Sequence, residues 1–412
     1  MISEVKDLNN AYGSKTLLID LGTTTIAYAI VSNGISLDAA KTHTFANPEG
    51  VYGDDVVSRM EASMSGKRDE IQKCITDSLK NELIKMCDTV HSSVSDIDRI
   101  LIGGNTTMIH LLMGYDCTPL SRAPFKPSAE SPADPDITAI PGLSDASTTI
   151  IPWASAFIGG DIIAGLSSVE LKPNTLFIDL GTNGEMVLCR PDGELFATAT
   201  AAGPALEGGG LSCGAAAIPG AISDIELYPL SPRLTTIGNK TPIGLCGSGA
   251  ISLTAELIRK GYVDADTTLT DKFPAEGISL VGTHPAADSS LVFTADDLHR
   301  VLLAKAAVAA GIDTLLKASG LKYDDIDTVY LAGGLGFFIE PDDAAVLGIF
   351  SDIDIHKVVP VGNACLAGLY TIANTNKNGH DNTQIIVPDM HIINLGTSDY
   401  FKEKYIERLS LR

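Results

Sequence analysis

Thr16 to Val31 reads TLLIDLGTTTIAYAIV, and Thr175 to Cys189 reads TLFIDLGTNGEMVLC. In each, an apolar run of strand length ends in Asp-Leu-Gly-Thr, passes a small polar turn and resumes as a second apolar run, the pattern of a β-hairpin. Two further echoes follow in the same order. SDIDRILIGGNTTM (Ser95–Met108) pairs with DDIDTVYLAGGLGFF (Asp324–Phe338), each a buried strand running into Gly-Gly. IPWASAFIGGDIIAGLSSV (Ile151–Val169) pairs with VPVGNACLAGLYTIA (Val359–Ala373), both read as Ala/Gly-rich helix suited to close packing. Each Gly-Gly strand is preceded by a stretch with apolar residues at helical spacing, RDEIQKCITDSLKNELIKMC and ADDLHRVLLAKAAVAAGIDTLLKASG. Three matched elements in one order make an internal duplication.

Hairpin, helix, Gly-Gly strand and Gly/Ala helix, given twice, imply two α/β domains related by a pseudo-two-fold axis, each with a mixed sheet whose first strands are antiparallel. The expected organisation is a flexible N-terminus over 1–15, a first half over 16–170 and a second half over 171–412. The interval from hairpin to Gly-Gly strand is about twice as long in the second half, which places an insertion at about 190–292. That insertion holds the Gly-rich run TAAGPALEGGGLSCGAAAIPGAI, the turn region YPLSPRL and a loop feeding a helix in GLCGSGAISLTAELIRKGYVD.

Each hairpin turn offers Gly and Thr where backbone amides point outward and hydroxyls donate, which suits a phosphate chain. The residues concerned are Gly22, Thr23, Thr24 and Thr25 in the first loop and Gly181, Thr182, Asn183 and Gly184 in the second. Two such loops facing one another across a cleft would grip a nucleotide's phosphates from both sides, closing on it. Asp20 and Asp179, which open the loops, would hold the water shell of a Mg2+, an ion that keeps several waters and takes few protein carboxylates. Gly333, Gly334 and Leu335 give a strand end where a flat adenine or ribose can approach the backbone. Lys305, alone among Ala and Val, either reaches outward to solvent or lines the adenosine pocket. Asp161 either caps its helix or orients water or magnesium beside the γ-phosphate.

Composition narrows the class. A formal charge of −22 opposes nucleic acid and anionic lipid, since both are bound through Lys and Arg. The polar start MISEVKDLNNAYGSK lacks a secretory pattern, and the apolar stretches fall short of the ~20 residues a membrane span needs. A cytoplasmic protein is expected. Seven cysteines without any C-x-x-C read as buried small side chains, not as a cluster site. P-loop, Rossmann, zincin and hydrolase signatures are absent from the sequence.

IDLGTTT and FIDLGTNGE resemble the two phosphate motifs of the actin-like ATPase superfamily, which joins acetate and sugar kinases, heat-shock chaperones and actin. FIGGDIIAGL resembles its first connecting motif, YLAGGLGFF its adenosine motif and VGNACLAGLY its second connecting motif. The resemblance implies a duplicated ribonuclease-H-like fold, two α/β domains around an interdomain nucleotide cleft, with Asp161 at the position that orients the attacking water. More narrowly, FANPEGVYGDDVVSRM, GGNTTMIHLLMG, APFKPSAE, AAGPALEGG and LAKAAVAAG are similar to reductive activators of corrinoid proteins. Members of that family use ATP to let an electron reach cobalt(II) of a corrinoid protein and restore cobalt(I). The resemblance therefore implies an ATPase with ATP and Mg2+ as cofactors and a corrinoid protein as partner, a homodimer being one arrangement. Those activators carry a separate iron–sulfur domain, so with scattered thiols here the expectation is no iron–sulfur cluster and a separate ferredoxin-type electron donor. A small-molecule kinase of the same superfamily is the alternative, and a dehydratase activator, with Cys189 and Cys213 as weak cluster candidates, a lesser one.

Overall fold

The structure is a computed structural model that describes residues 15–32, 36–53, 55–129, 146–228, 231–280, 291–333, 339–350, 352–375 and 387–411. It divides into two units, one of residues 1–168 and 365–387, the other of 169–364 and 388–412.

In the first unit, β1 (Lys15–Leu21) and β2 (Thr25–Ser32) form the hairpin, β3 (Thr42–Ala46) flanks it, and β4 (Ile97–Gly104) and β5 (Ser147–Ile150) complete a sheet of order β3-β2-β1-β4-β5. β1 runs antiparallel to β2 and parallel to β4. Leu17, Leu18 and Ile19 are buried on both faces of β1, as a near-continuous apolar run requires of a central strand. Helix α1 (Val56–Ala62) starts in a capping box made by Asp55 and Ser58. α2 (Arg68–Thr89) packs Ile71, Ile75, Leu79 and Leu83 into the core at helical spacing. α3 (Thr106–Met113) follows β4 directly, capped by Asn105 and ended by Gly114, and α4 (Thr118–Ser121) is a single turn.

Ile151–Val169, expected as helix, is helical only in α5 (Gly160–Leu166). Before it the chain prolongs sheet pairing, Ile151 N donating to Ile102 O, and then folds a turn in which Ala154 N donates to Ile158 O. Pro152 and the Gly159-Gly160 pair sit in this stretch, residues that suit turns better than helix interiors.

The second unit repeats the plan. β6 (Thr175–Leu180), β7 (Gly184–Cys189), β8 (Leu195–Thr200), β14 (Thr328–Ala332) and β15 (Val358–Gly362) stand in the same relative order as the first five strands, β6 antiparallel to β7 and parallel to β14. Between β8 and β14 lie a small sheet of β9 (Ala221–Glu226), β10 (Arg233–Thr236) and β11 (Gly244–Leu245), then α6 (Gly247–Arg259), a ribbon of β12 (Ile278–Ser279) and β13 (Val292–Phe293), and α7 (Ala295–Ser319). α7 is Ala-rich and buried along most of its length, opening in a Thr294–Asp297 capping box and ending at Gly320. α8 (Pro341–Leu347) follows β14. From Cys365 the chain returns to the first unit as α9 (Ala364–Thr375), whose Gly368 backs so closely on Ala164 of α5 that a Cβ there would lie 1.7 Å from the Ala164 carbonyl oxygen. β16 (Met390–Ile393) then adds to β8, and α10 (Asp399–Glu407) packs along α7. Among the described residues no helix is long and apolar enough to cross a membrane.

Candidate functional site

In the first unit, Asp20 lies near the end of β1, in register with Ala27 on β2 and Gly103 on β4. The turn after it is tight, because a Cβ on Gly22 would sit 2.5 Å from the Thr25 carbonyl oxygen. Asn105, the cap of α3, accepts from Met108 N and donates from Nδ2 to Thr23 Oγ1 at 2.9 Å. Beneath the loop lies a group the sequence did not assign a role. Asn47 Nδ2 donates to Gly22 O at 2.8 Å, Arg59 Nη1 to Thr23 O at 2.8 Å, and Asn47 N to Thr24 O at 2.9 Å. Arg59 also faces Glu49 Oε2 at 3.4 Å, with both side chains buried. Burial pushes the Glu49 carboxyl up to about 8, against the pull of Arg59 and Asn47.

Asp161 belongs to the same neighbourhood. The cap of α5 is Gly159, so the capping reading of Asp161 fails; its Oδ1 accepts from the adjoining Ile162 N at 2.8 Å. A Cβ on Gly159 would meet Asn105 Cα at 2.5 Å, Asp161 Oδ1 at 2.6 Å and Gly104 O at 2.8 Å, so the end of β4 and the start of α5 are in direct contact. Burial raises the Asp161 carboxyl well above the usual range, and the negative charge of Asp20 adds to it. Two carboxylates that disfavour each other's ionisation are a donor set that a cation would relieve.

In the second unit, Asp179 pairs with Glu185 on β7 and Ala332 on β14. Gly181 N donates to Asn183 O at 2.8 Å, closing the turn, and Gly203 N to Thr182 O at 2.9 Å. Thr182 Oγ1 donates to Glu207 Oε2 at 2.6 Å, which adds Glu207 to the loop. The only signal for it in the sequence was its place in AAGPALEGG. Gly184 opens β7 beneath Thr200 and Val308. Gly333 has φ of +96°, and a Cβ there would stand 2.3 Å from Leu180 O and 2.8 Å from Asp179 Oδ1, so the strand end touches the end of β6 where the Asp-Leu-Gly-Thr turn begins. Gly334 and Leu335 lie outside the described residues.

Lys305 does not reach solvent. It is 2 % exposed and its Nζ donates to Ser410 O at 2.7 Å, tying the end of the chain to α7. Beside it Arg408 pairs with Asp313 at 2.8 and 3.1 Å and donates to Tyr323 Oη at 2.9 Å. The Lys305 amine thus serves the C-terminal segment. Of the seven cysteines, six are buried and Cys74 is half-buried, and among the described residues no group of three or more His, Cys, Asp or Glu could hold a metal ion. A Mg2+ held through water asks less, one or two carboxylates, and Asp20 and Asp161 or Asp179 and Glu207 offer those.

The repeated sheet plan and its Asp-Leu-Gly-Thr hairpins define an actin-like ATPase domain. Residues 173–412 match the family model described as the C-terminal, ASKHA domain of RACo, and residues 16–174 the model described as the RACo middle region. The chain belongs to the RACo family, the reductive activators of corrinoid proteins. The corrinoid activation enzyme RamQ of Eubacterium limosum is 29 % identical over 378 residues, which cover 85 % of this chain and 63 % of that protein. The [Co(II) methylated amine-specific corrinoid protein] reductase of Methanosarcina barkeri is 25 % identical over 439 residues, 97 % of this chain and 75 % of that protein. A solved structure named reductive activator for corrinoid, iron-sulfur protein superposes with a TM-score of 0.84 at 28 % identity, over 97 % of this chain and 66 % of the other. The chain thus spans a little under two thirds of the length of RamQ and of that solved activator.

Proposed function

We propose that this chain binds Mg-ATP through its two Asp-Leu-Gly-Thr loops and uses nucleotide state to promote the reduction of a corrinoid protein from cobalt(II) to cobalt(I). One electron is taken from a separate low-potential donor of ferredoxin type. The observation that carries the reading is that both units build the same device, a hairpin whose Asp lies beside a parallel strand that runs into glycine, Gly103-Gly104 in the first unit and Gly333 after Ala332 in the second. The names and extended similarity of the two relatives and the solved activator support the corrinoid partner.

In this reading the amides and hydroxyls of Gly22–Thr25 and Gly181–Gly184 take the phosphates, and Asp20 and Asp179 hold the metal through water. Mg2+, when bound, neutralises phosphate charge. Asp161 orients the attacking water, and Glu207 keeps the Thr182 hydroxyl in one rotamer. Gly333, with Gly334 and Leu335 after it, receives the adenosine. Phosphoryl transfer needs little beyond positioning and electrostatics, which these residues supply. Nucleotide binding raises cobalt reduction only through its differential affinity for two states of the protein; a shift from 1:99 to 99:1 takes about 5.5 kcal/mol.

The test has two arms. Calorimetry measures Mg-ATP binding to the wild type and to Asp20→Ala and Asp179→Ala, which should bind more weakly. Absorbance then follows cobalt(II) to cobalt(I) in a corrinoid protein with a ferredoxin-type donor, with and without this chain and ATP. Cobalt reduction that depends on both is expected. No nucleotide binding to folded protein overturns the reading, and ATP consumed in proportion to an added sugar or acid replaces it with a kinase.

A further inference from the structure

Arg59 is among the largest fully buried side chains of the molecule. Glu49 Oε2 is 3.4 Å away, and Glu49 Oε1 is buried without a hydrogen-bond partner. Stability alone is a weak reason for such a pair, because apolar residues of similar volume commonly replace a buried ion pair at no loss. What the guanidinium does hold is backbone: Nε donates to Gly53 O at 2.9 Å and Nη1 to Thr23 O at 2.8 Å.

Asn47 does the same on either side of it. Its Nδ2 takes the Gly22 carbonyl and its N–H the Thr24 carbonyl, while its Oδ1 accepts from Glu49 N at 2.9 Å. Three successive carbonyls of the first loop, Gly22, Thr23 and Thr24, are therefore held by one buried group. In a trans peptide the N–H points opposite to the C=O. With the Gly22 and Thr23 carbonyls drawn to Asn47 and Arg59, the amides of Thr23 and Thr24 are directed away from them, with a positive charge behind.

We propose that Arg59, held by Glu49 and flanked by Asn47, is a positioning residue for phosphate. It fixes the Gly22–Thr24 peptides so that the Thr23 and Thr24 amides face the nucleotide's phosphates, and its charge reinforces them. The inference rests on the reading that this loop binds phosphate, and it adds the group that gives the loop its conformation. It also explains FANPEGVYGDDVVSRM as one device, with Asn47 and Glu49 at one end and Arg59 at the other.

The test compares ATP with adenosine, which has no phosphates, by calorimetry on protein shown to be folded by circular dichroism. Glu49→Gln/Arg59→Met removes the guanidinium and leaves position 49 neutral at every pH, so no unpaired charge is left buried. It should bind Mg-ATP at least about tenfold more weakly than wild type while adenosine affinity stays within about twofold. Arg59→Lys, which keeps the charge but cannot reach both carbonyls, should fall between the two. Should the double variant fail to fold, Asn47→Asp, which replaces the Nδ2 donor to Gly22 O and Glu49 Oε2 with an acceptor, should show the same loss for ATP and not for adenosine. Unchanged ATP affinity, or equal weakening of ATP and adenosine, overturns the positioning role. A wild type that binds neither ligand overturns the underlying assignment instead.

Discussion

Lys305 allows a quantitative test of how α7 and the C-terminal segment are joined. Burial, with the charge of Arg408 beside it, lowers its amine from 10.5 to about 8. Between those values the unfolded chain holds a proton that the folded chain has released, so stability rises as pH rises from about 8 to about 10.5; below pH 8 both states are protonated and the full cost of burying the ammonium is carried. A shift of this size corresponds to about 3 kcal/mol, most of which is recovered by pH 10. Lys305→Met gives the reference. At pH 7 the variant is relieved of the buried charge but loses a charge-assisted bond to Ser410 O, about 1.5–3 kcal/mol, so the two proteins should differ by no more than about 2 kcal/mol. At pH 10 the wild type should have gained about 2–3 kcal/mol on the variant. Urea denaturation of both proteins at the two pH values reads this directly, since every other titrating group cancels in the difference. A gap that stays constant within about 0.5 kcal/mol would refute the reasoning, because it would mean that Lys305 titrates as in water.

Asp161→Asn should bind Mg-ATP within about threefold of wild type but hydrolyse it at least about a hundredfold more slowly, read by single-turnover kinetics, since orienting water matters in the transition state. Gly333→Ala must place a Cβ 2.3 Å from Leu180 O at φ of +96°, so it should lower the melting transition by the equivalent of about 1–3 kcal/mol and weaken nucleotide binding. His110 is buried, its Nδ1 on Thr106 O and its Nε2 accepting from Ser128 N, and burial lowers its pKa below 6.5. The unfolded state then takes up a proton first at this site as pH falls, so wild type should lose stability relative to His110→Gln below about pH 6.5, read by melting both proteins between pH 5 and 7.5, where the other titrating groups cancel in the difference.

Much of this protein is written in local pattern. The hairpins, the long helices α2 and α7 and the Gly-Gly strands follow from apolar periods of two and 3.6 and from turn residues, all of which act over a few neighbouring residues. Their repetition in one order yielded the duplicated α/β plan, and the loop composition yielded Asp20, Asp179 and the Gly-Thr turns as candidates for phosphate and metal. Tertiary structure alone decided the rest. Arg59 and Thr23 are separated by 36 positions and Thr182 and Glu207 by 25, and nothing in either segment's own period says that they meet. Lys305 reads the same in sequence whether it faces water or Ser410, 105 positions away. Asp161 could be a cap or not until Gly159 was seen to hold that place. Periodicity reports which face of an element is buried, because that depends on each residue's own solvation. It cannot report which distant polar group meets a buried one, because that partner is set by where the whole chain brings it, and a buried polar group must be satisfied there or bear the cost.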